Sequence, residues 1–327
     1  MPNINNKFVS IAHGSGTEIT RQFIHEIFTK EFEHCQTKND SAIIFDSKIA
    51  YTTDSYVIKP EIFPGGDIGK LAVCGTANDL SVAGSLPKWF SVGYIISVGY
   101  PINKLEQIVR SMAKTAKESN IEIVTGDTKV IEGEVPGVII NTSGIGIVKN
   151  ATSINYIKDG DLIIISGTLG DHAAAIVSKR EGLFFEEIIK SDCAVLYPML
   201  KRIINLGIPL FMRDMTRGGM SSALYEINEN SGLGIEIYRN QIPIKKNVQE
   251  FCDITGMDPI SLANEGKVLL VVDRELANKV LSYLQKHPLG KDSTIVGQVT
   301  KSHNEVIVKS HTKQEILREG IGIPRIC

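Results

Sequence analysis

Four aspartates stand at the ends of β-rich runs, flanked by small residues or glycine: Asp40 in KNDSAII, Asp54 in YTTDSY, Asp79 in TANDLS and Asp127 in VTGDTK. Carboxylates gathered from several strand ends suit Mg²⁺ bound to phosphates, because that ion takes oxygen ligands from a few carboxylates, water and the nucleotide itself. Read singly, each is equally a solvated turn residue or a helix cap, and spacing alone does not bring them together. Lys129, two residues after Asp127, has the reach to meet a phosphate. His13, Gly14 and Gly16 in AHGSGT precede a helix-like run, so backbone N–H groups there could face an anion. RDMTRGG, with Asp214 and Arg217, packs charge and a glycine pair before another helix, a second phosphate-facing turn. Glu265 in NEGK stands just before an apolar strand, as a turn residue or a general base.

The usual nucleotide signatures fail. PGGDIGKL has Pro64 where a P-loop needs its first glycine, and no Ser or Thr follows Lys70, although Lys70 remains a candidate cofactor contact. HGSGTEI has two of the three dinucleotide-fold glycines, with Ile19 at the third position. The chain ends in GIGIPRIC, so its last residue, Cys327, carries a thiol beside the terminal carboxylate. A free thiol titrates near 8.5; the carboxylate pushes that up and Arg325 pulls it down, which gives a moderate nucleophile on a slender arm.

These residues need scaffolding. The chain has 327 residues, 43% apolar and 22% charged, with a net charge of −2, the profile of a globular protein of about two domains. There is no basic surplus of the kind nucleic-acid binders carry. No apolar run reaches the roughly 18 residues of a membrane span. MPNINNKFVS lacks a secretory signal, so a cytoplasmic location is expected, and five scattered cysteines without a C-x-x-C pair argue against disulfides or a cysteine zinc site.

Apolar periodicity predicts an amphipathic helix over 19–34, strands at 41–45 and 48–58, and a small-residue helix at 67–85. A strand at 89–98 follows, then a helix capped by Asn103 with Glu106 as capping-box partner and Leu105, Ile108, Val109 and Met112 on one face. IEIVTGDTKV and GVIINTSGIGIV read as further strands. The polar stretch 149–161 marks a boundary, which predicts domains at 1–150 and 151–310, each with its own core. The second alternates strands (DLIIISG, LGIEIY, KVLLVVD, STIVGQV) with helices near 192–206, 217–230 and 275–286. Both are α/β or α+β, and 311–327 reads as a mobile tail.

Taken together, TTDSYVIKPEIFPGGDIGKLAVCGTANDLSVAG, VTGDTKV, INTSGIGIV, MRDMTRGGM, LANEGK and the terminal PRIC resemble the hydrogenase-maturation family HypE, the carbamoyl dehydratases, along nearly the whole chain. The resemblance implies the two-domain fold of the aminoimidazole ribonucleotide synthetase-like ATP-binding superfamily and dimerisation through the N-terminal domains. It implies that a carbamoyltransferase, HypF, loads Cys327 with a carbamoyl group. ATP then drives its dehydration to a thiocyanate, and the cyano group passes to iron on a HypC–HypD complex for a [NiFe]-hydrogenase. It places Asp40, Asp54, Asp79 and Asp127 on Mg–ATP with Lys129 on phosphate, makes Asp214 and Glu265 the second domain's contribution, and makes Glu265 the base. One departure is Thr17, where the family usually has a further glycine; a β-branched residue disfavours positive φ, so a different loop shape is expected. Two rival readings keep parts of this set: a small-molecule kinase or synthetase of the same superfamily, which has no use for Cys327, and a thiol carrier, which has no use for the aspartates.

Overall fold

The computed structural model describes residues 8–15, 17–29, 31–32, 40–133, 137–310 and 313–317. Its first half is a five-stranded sheet made from β1 (Ala42–Ile44), β2 (Ile49–Tyr56), β5 (Ser85–Ser97), β6 (Glu122–Ile131) and β7 (Val138–Val148), with the short ribbon β3 (Ile62–Phe63) and β4 (Gly66–Asp67) beside it. The order is β1-β2-β7-β5-β6, antiparallel except for the parallel β5–β6 pair, whose crossover is the helix α3 (Ile102–Glu118). The helix α2 (Ile68–Val82) lies on this sheet, its first turn capped by the Asp67 carboxylate, which accepts from Lys70 N at 2.9 Å.

The composition of α2 explains its place. Gly69, Ala72, Gly75, Ala77 and Ser81 leave almost no side-chain bulk, so the helix can be enclosed on every side; only Lys70 and Asp79 of its fifteen residues escape burial. Its approach to β7 is so close that a Cβ at Gly144 would stand 2.6 Å from Thr76 Cγ2. A helix this deeply buried draws its stability from packing rather than from an amphipathic stripe.

The second half is a seven-stranded sheet, ordered β14-β13-β10-β12-β8-β11-β9. Its strands are β8 (Leu162–Ile165), β9 (Phe211–Asp214), β10 (Gly234–Tyr238), β11 (Val268–Val272), β12 (Thr294–Thr300), β13 (Val306–Lys309) and β14 (Gln314–Ile316). The helices α4 (Asp171–Glu181), α5 (Tyr197–Asn205), α6 (Gly219–Ser231), α7 (Lys246–Thr255) and α8 (Ala277–Gln285) surround it. All five residues of β11, VLLVV, are buried, as expected of a strand covered on both faces. Among the described residues no helix is long and apolar enough to cross a membrane.

Four expectations change. The cores are not wholly separate: one apolar cluster runs from Ala50, Phe90 and Ile140 through α2 into Leu196, Leu200, Val268 and Leu284, because α2 offers small apolar residues on both sides, while a second cluster around Ile163, Phe211 and Val296 lies within the second half alone. The first helix is shorter than periodicity suggests, α1 (Glu18–Ile24) passing into one wider turn at His25–Thr29, and Ile24, Ile27 and Phe28 are only half covered, so no apolar face is buried to extend it. The N-cap of α3 is Pro101, not Asn103: Lys104 N and Leu105 N both donate to Pro101 O, which starts the helix two residues earlier, and Val109 is left 40% exposed. Residues 314–316, expected in a free tail, form β14 against β13; Leu317 is buried and its carbonyl accepts from Tyr225 Oη. The Thr17 backbone is extended, at φ −99° and ψ −176°.

Candidate functional site: an acidic trio beside a cavity between the two halves

Three segments far apart in sequence deliver carboxylates to one point. Asp40 comes from the turn before β1, Asp79 from the half-buried side of α2, and Asp214 from the last position of β9. One carboxylate oxygen of each lies within 4.8 Å of the other two. Thr52 Oγ1, on β2, is 3.0 Å from both Asp79 Oδ2 and the Asp40 carbonyl, and its one proton can serve either. Arg213 pairs with Asp40 through Nη1, and its Nη2 donates to Glu226 Oε1 of α6 at 2.9 Å.

Burial drives the electrostatics. It raises the Asp79 carboxyl well above the usual range, and the neighbouring Asp214, Asp40 and Asp54 raise it further. Asp40 is raised by burial too, with Arg213 opposing. Asp214 is pushed up to about 7 by burial, against Arg213, with Glu265, Asp54 and Glu226 adding to the rise. Like charges this close resist ionising together, and a cation beyond Arg213 placed among them would relieve that repulsion. A compact all-oxygen donor set fits Mg²⁺, a hard cation that keeps waters and phosphate oxygens alongside one or two protein carboxylates.

Next to the trio the two halves are stitched together. Asn78, the residue before Asp79, donates through Nδ2 to Ala194 O at 3.1 Å and Glu265 O at 3.3 Å, while its Oδ1 accepts from Leu196 N at 2.8 Å. Glu265 is buried in the turn before β11, its backbone N donating to Asp192 Oδ1 at 3.0 Å. Its side chain lines a cavity whose wall includes His172, Arg217 and Arg180 among apolar residues such as Ile58 and Leu71. Three carboxylates able to hold a divalent cation, with the buried Glu265 close enough to act on Asp214 and itself lining a largely apolar cavity, suit phosphoryl chemistry coupled to proton removal.

Known proteins show the same architecture. The AIR synthase related protein N-terminal domain family matches residues 38–148 and the corresponding C-terminal domain family matches 158–309. Carbamoyl dehydratase HypE of Escherichia coli K12 is 40% identical over 98% of this chain and 99% of its own length. A solved structure of a HypE–HypF complex superposes with a TM-score of 0.88 at 42% identity, over 93% of this chain and 100% of that one. A HypE structure in complex with ATP superposes at 0.83 and 35% identity, over 98% and 100%. The chain belongs to the HypE family of carbamoyl dehydratases.

Within this HypE-family chain the other residues singled out from sequence are scattered. Asp54 is near enough to raise Asp79 and Asp214 but lies outside the trio, its Oδ1 accepting from Ser55 N at 2.7 Å. Asp127 is exposed on β6, paired with Lys129 at 2.9 Å, and β7 and β5 stand between β6 and β2, so neither residue joins the trio of its own chain. Lys70 donates to Gly65 O at 2.9 Å from the first turn of α2, nine residues and about 14 Å of helix from Asp79. His13 is buried with Nδ1 against Ser10, Gly14 O accepts from Arg217 Nη1 at 3.1 Å, and Gly16 and Cys327 lie outside the described residues.

Sequence reasoning passed over Arg213, Asn78, Asp192 and His172. The first two adjoin aspartates already singled out, and that adjacency was the available signal. Asp192 also pairs with Lys267 at 3.3 Å, both nearly inaccessible. Burial alone would raise the Asp192 carboxyl, but Lys267, the Glu265 backbone N–H and His172 outweigh it and hold it below the usual value. The stability this pair contributes is therefore present above the ordinary carboxylate pKa and lost as pH falls through the depressed one. Lys267→Met leaves the carboxylate buried without its cation, and urea unfolding at pH 7 should show a loss of about 3–5 kcal/mol. A loss below about 1 kcal/mol would mean that the Glu265 backbone N–H and His172 suffice to stabilise Asp192.

Proposed function

We propose that this chain dehydrates a carbamoyl group carried on its own Cys327 to a thiocyanate, using Mg–ATP bound at Asp40, Asp79 and Asp214. The observation that carries this reading is the convergence of those three carboxylates beside a cavity lined by Glu265, in a chain of the HypE family. An amide oxygen is a poor leaving group at neutral pH. Transfer of the γ-phosphoryl of ATP to that oxygen makes it leave as phosphate, and loss of both N–H protons leaves S–C≡N. Mg²⁺ would offset charge on the phosphoryl oxygens, and most of the rest is positioning. Asp40, Asp79 and Asp214 would hold the ion, Arg217 would face phosphate, and Glu265 would take a proton inside the apolar cavity. Asp54 has a supporting place beside the trio.

The tail fits this reading. Leu317 is tied to Tyr225 of α6, and the next residue of that helix, Glu226, holds Arg213 beside the trio. Cys327 is the tenth residue beyond Leu317, a length of chain that can span about 35 Å when extended. A relative is solved in complex with HypF; this chain would receive its carbamoyl group from such a carbamoyltransferase and hand the cyano group to iron on HypC–HypD. A homodimer through the first halves is supported by β6, an edge strand with Ile123, Val124 and Val130 exposed. Unprotected apolar edges of this sort are usually covered, and such a dimer would place Asp127 and Lys129 at the interface.

The test is the mass of the C-terminal peptide after loading with the carbamoyltransferase and carbamoyl phosphate, before and after Mg–ATP. A carbamoyl adduct on Cys327 that then loses one water is expected. An unmodified Cys327 beside an active transferase would overturn the reading in favour of a small-molecule substrate.

A further inference from the structure

Two of the three trio carboxylates are placed by rigid elements, Asp79 by the buried helix α2 and Asp214 by a strand paired to β11. Asp40 is not. It precedes β1 in a turn, outside any helix or strand, so its backbone alone does not fix where its carboxylate points. Among the described residues the cation paired with it is Arg213. Arg213 is the strand neighbour of Asp214, so whatever holds β9 in register also sets the distance from Asp214 to the guanidinium. The other prong of the guanidinium is taken by Glu226 of α6, which fixes the plane of the fork. The side chains of Asp40, Arg213 and Glu226 are 10%, 21% and 21% exposed, which leaves little water to compete.

We infer that Arg213, braced by Glu226, is the positioning residue that holds Asp40 in the cation-binding trio. This rests on the proposed metal role of the trio. The chemistry favours arginine over any other cation: its planar fork serves two carboxylates at fixed angles, whereas a lysine ammonium is a single charged point on a flexible stem. Pairing through one Asp40 oxygen leaves the second for the ion, the usual arrangement in which a ligating carboxylate is oriented by an outer hydrogen bond.

The experiment uses Mn²⁺ as an EPR-visible probe for Mg²⁺, titrated into full-length protein with a non-hydrolysable ATP analogue. The variants are R213K, R213Q, E226Q, D40N and the double variant D40N/R213K. Arg213→Lys keeps the charge and loses the fork, and is expected to weaken Mn²⁺ binding about 10- to 100-fold, as loss of an outer-shell partner does. Arg213→Gln should be at least as weak, and Glu226→Gln weaker than wild type by several-fold. If Arg213 acts through Asp40, adding R213K to D40N changes the affinity by less than twofold, whereas independent sites would multiply. Wild-type Mn²⁺ affinity in R213K, or multiplicative effects in the double variant, overturns the positioning role while leaving the trio intact. Absence of Mn²⁺ binding in the wild-type protein overturns the trio itself and this inference with it. Should R213Q fail to fold, R213K and E226Q still decide the matter.

Discussion

Asp79→Ala is expected to abolish thiocyanate formation while leaving Cys327 open to carbamoylation. Asp79 is one of two residues of α2 that are half-buried rather than fully buried, and its carboxylate stands in a trio with Asp40 and Asp214. On the proposed function, removing it would take one oxygen ligand from the cation and loosen the hold on the phosphoryl group. The dehydration rate should fall by roughly 10³-fold or more, the scale on which losing a transition-state charge partner acts in phosphoryl transfer. Stability should move the other way. Burial and like charges raise the Asp79 carboxyl, so in the metal-free protein that group is a source of strain. Alanine is also the better helix former. The metal-free variant should therefore melt at or above the wild-type temperature, a separation of stability from activity common at sites built for function. Two readouts check this: water loss from the carbamoyl adduct by mass spectrometry, and thermal melting without metal. Normal water loss would remove Asp79 from the metal set, and a collapse in melting temperature would make its role structural.

Glu265→Gln is expected to keep nucleotide binding and lose elimination. The turn that carries Glu265 is held by its backbone: N to Asp192, and O to Asn78 Nδ2 and Ala194 N. Glutamine keeps all three bonds and the side-chain shape, but it cannot accept a proton at neutral pH. Loss of a general base lowers a rate by about 10²- to 10⁴-fold, so following ADP release and the peptide mass together separates phosphoryl transfer from water loss. ATP affinity should stay within a few-fold of wild type by calorimetry. A variant that no longer binds ATP would instead place Glu265 among the nucleotide contacts.

Much of the fold was legible in the residue pattern. β-rich runs marked β2, β5, β7 and β12, the run KVLLVVD marked β11, and the small-residue stretch at 67–85 marked α2. Periodicity misled where its apolar face found nothing to cover it, as at Ile24, Ile27 and Phe28, and capping rules misled where a proline carbonyl started the helix before Asn103 did. The tail was misread at 314–316 because three residues are too few to show a period, and it is the partner strand β13 that makes them a strand.

The site divides in the same way. Residue types alone determined that this chain carries carboxylates suited to Mg–ATP, a glutamate before a buried strand and a thiol at its tip, and the motifs around them identified the family. Tertiary structure decided which carboxylates meet. Asp214, assigned to catalysis from its motif, joins Asp40 and Asp79, whereas Asp127 faces solvent on β6, with β7 and β5 between it and β2. No spacing rule relates positions 40, 79 and 214. They converge because α2, stripped of bulky side chains, is wedged between the first sheet and the second half, and Asn78 pins it one residue from Asp79. Local chemistry can be read along the chain, but distance across a core depends on how every intervening side chain packs.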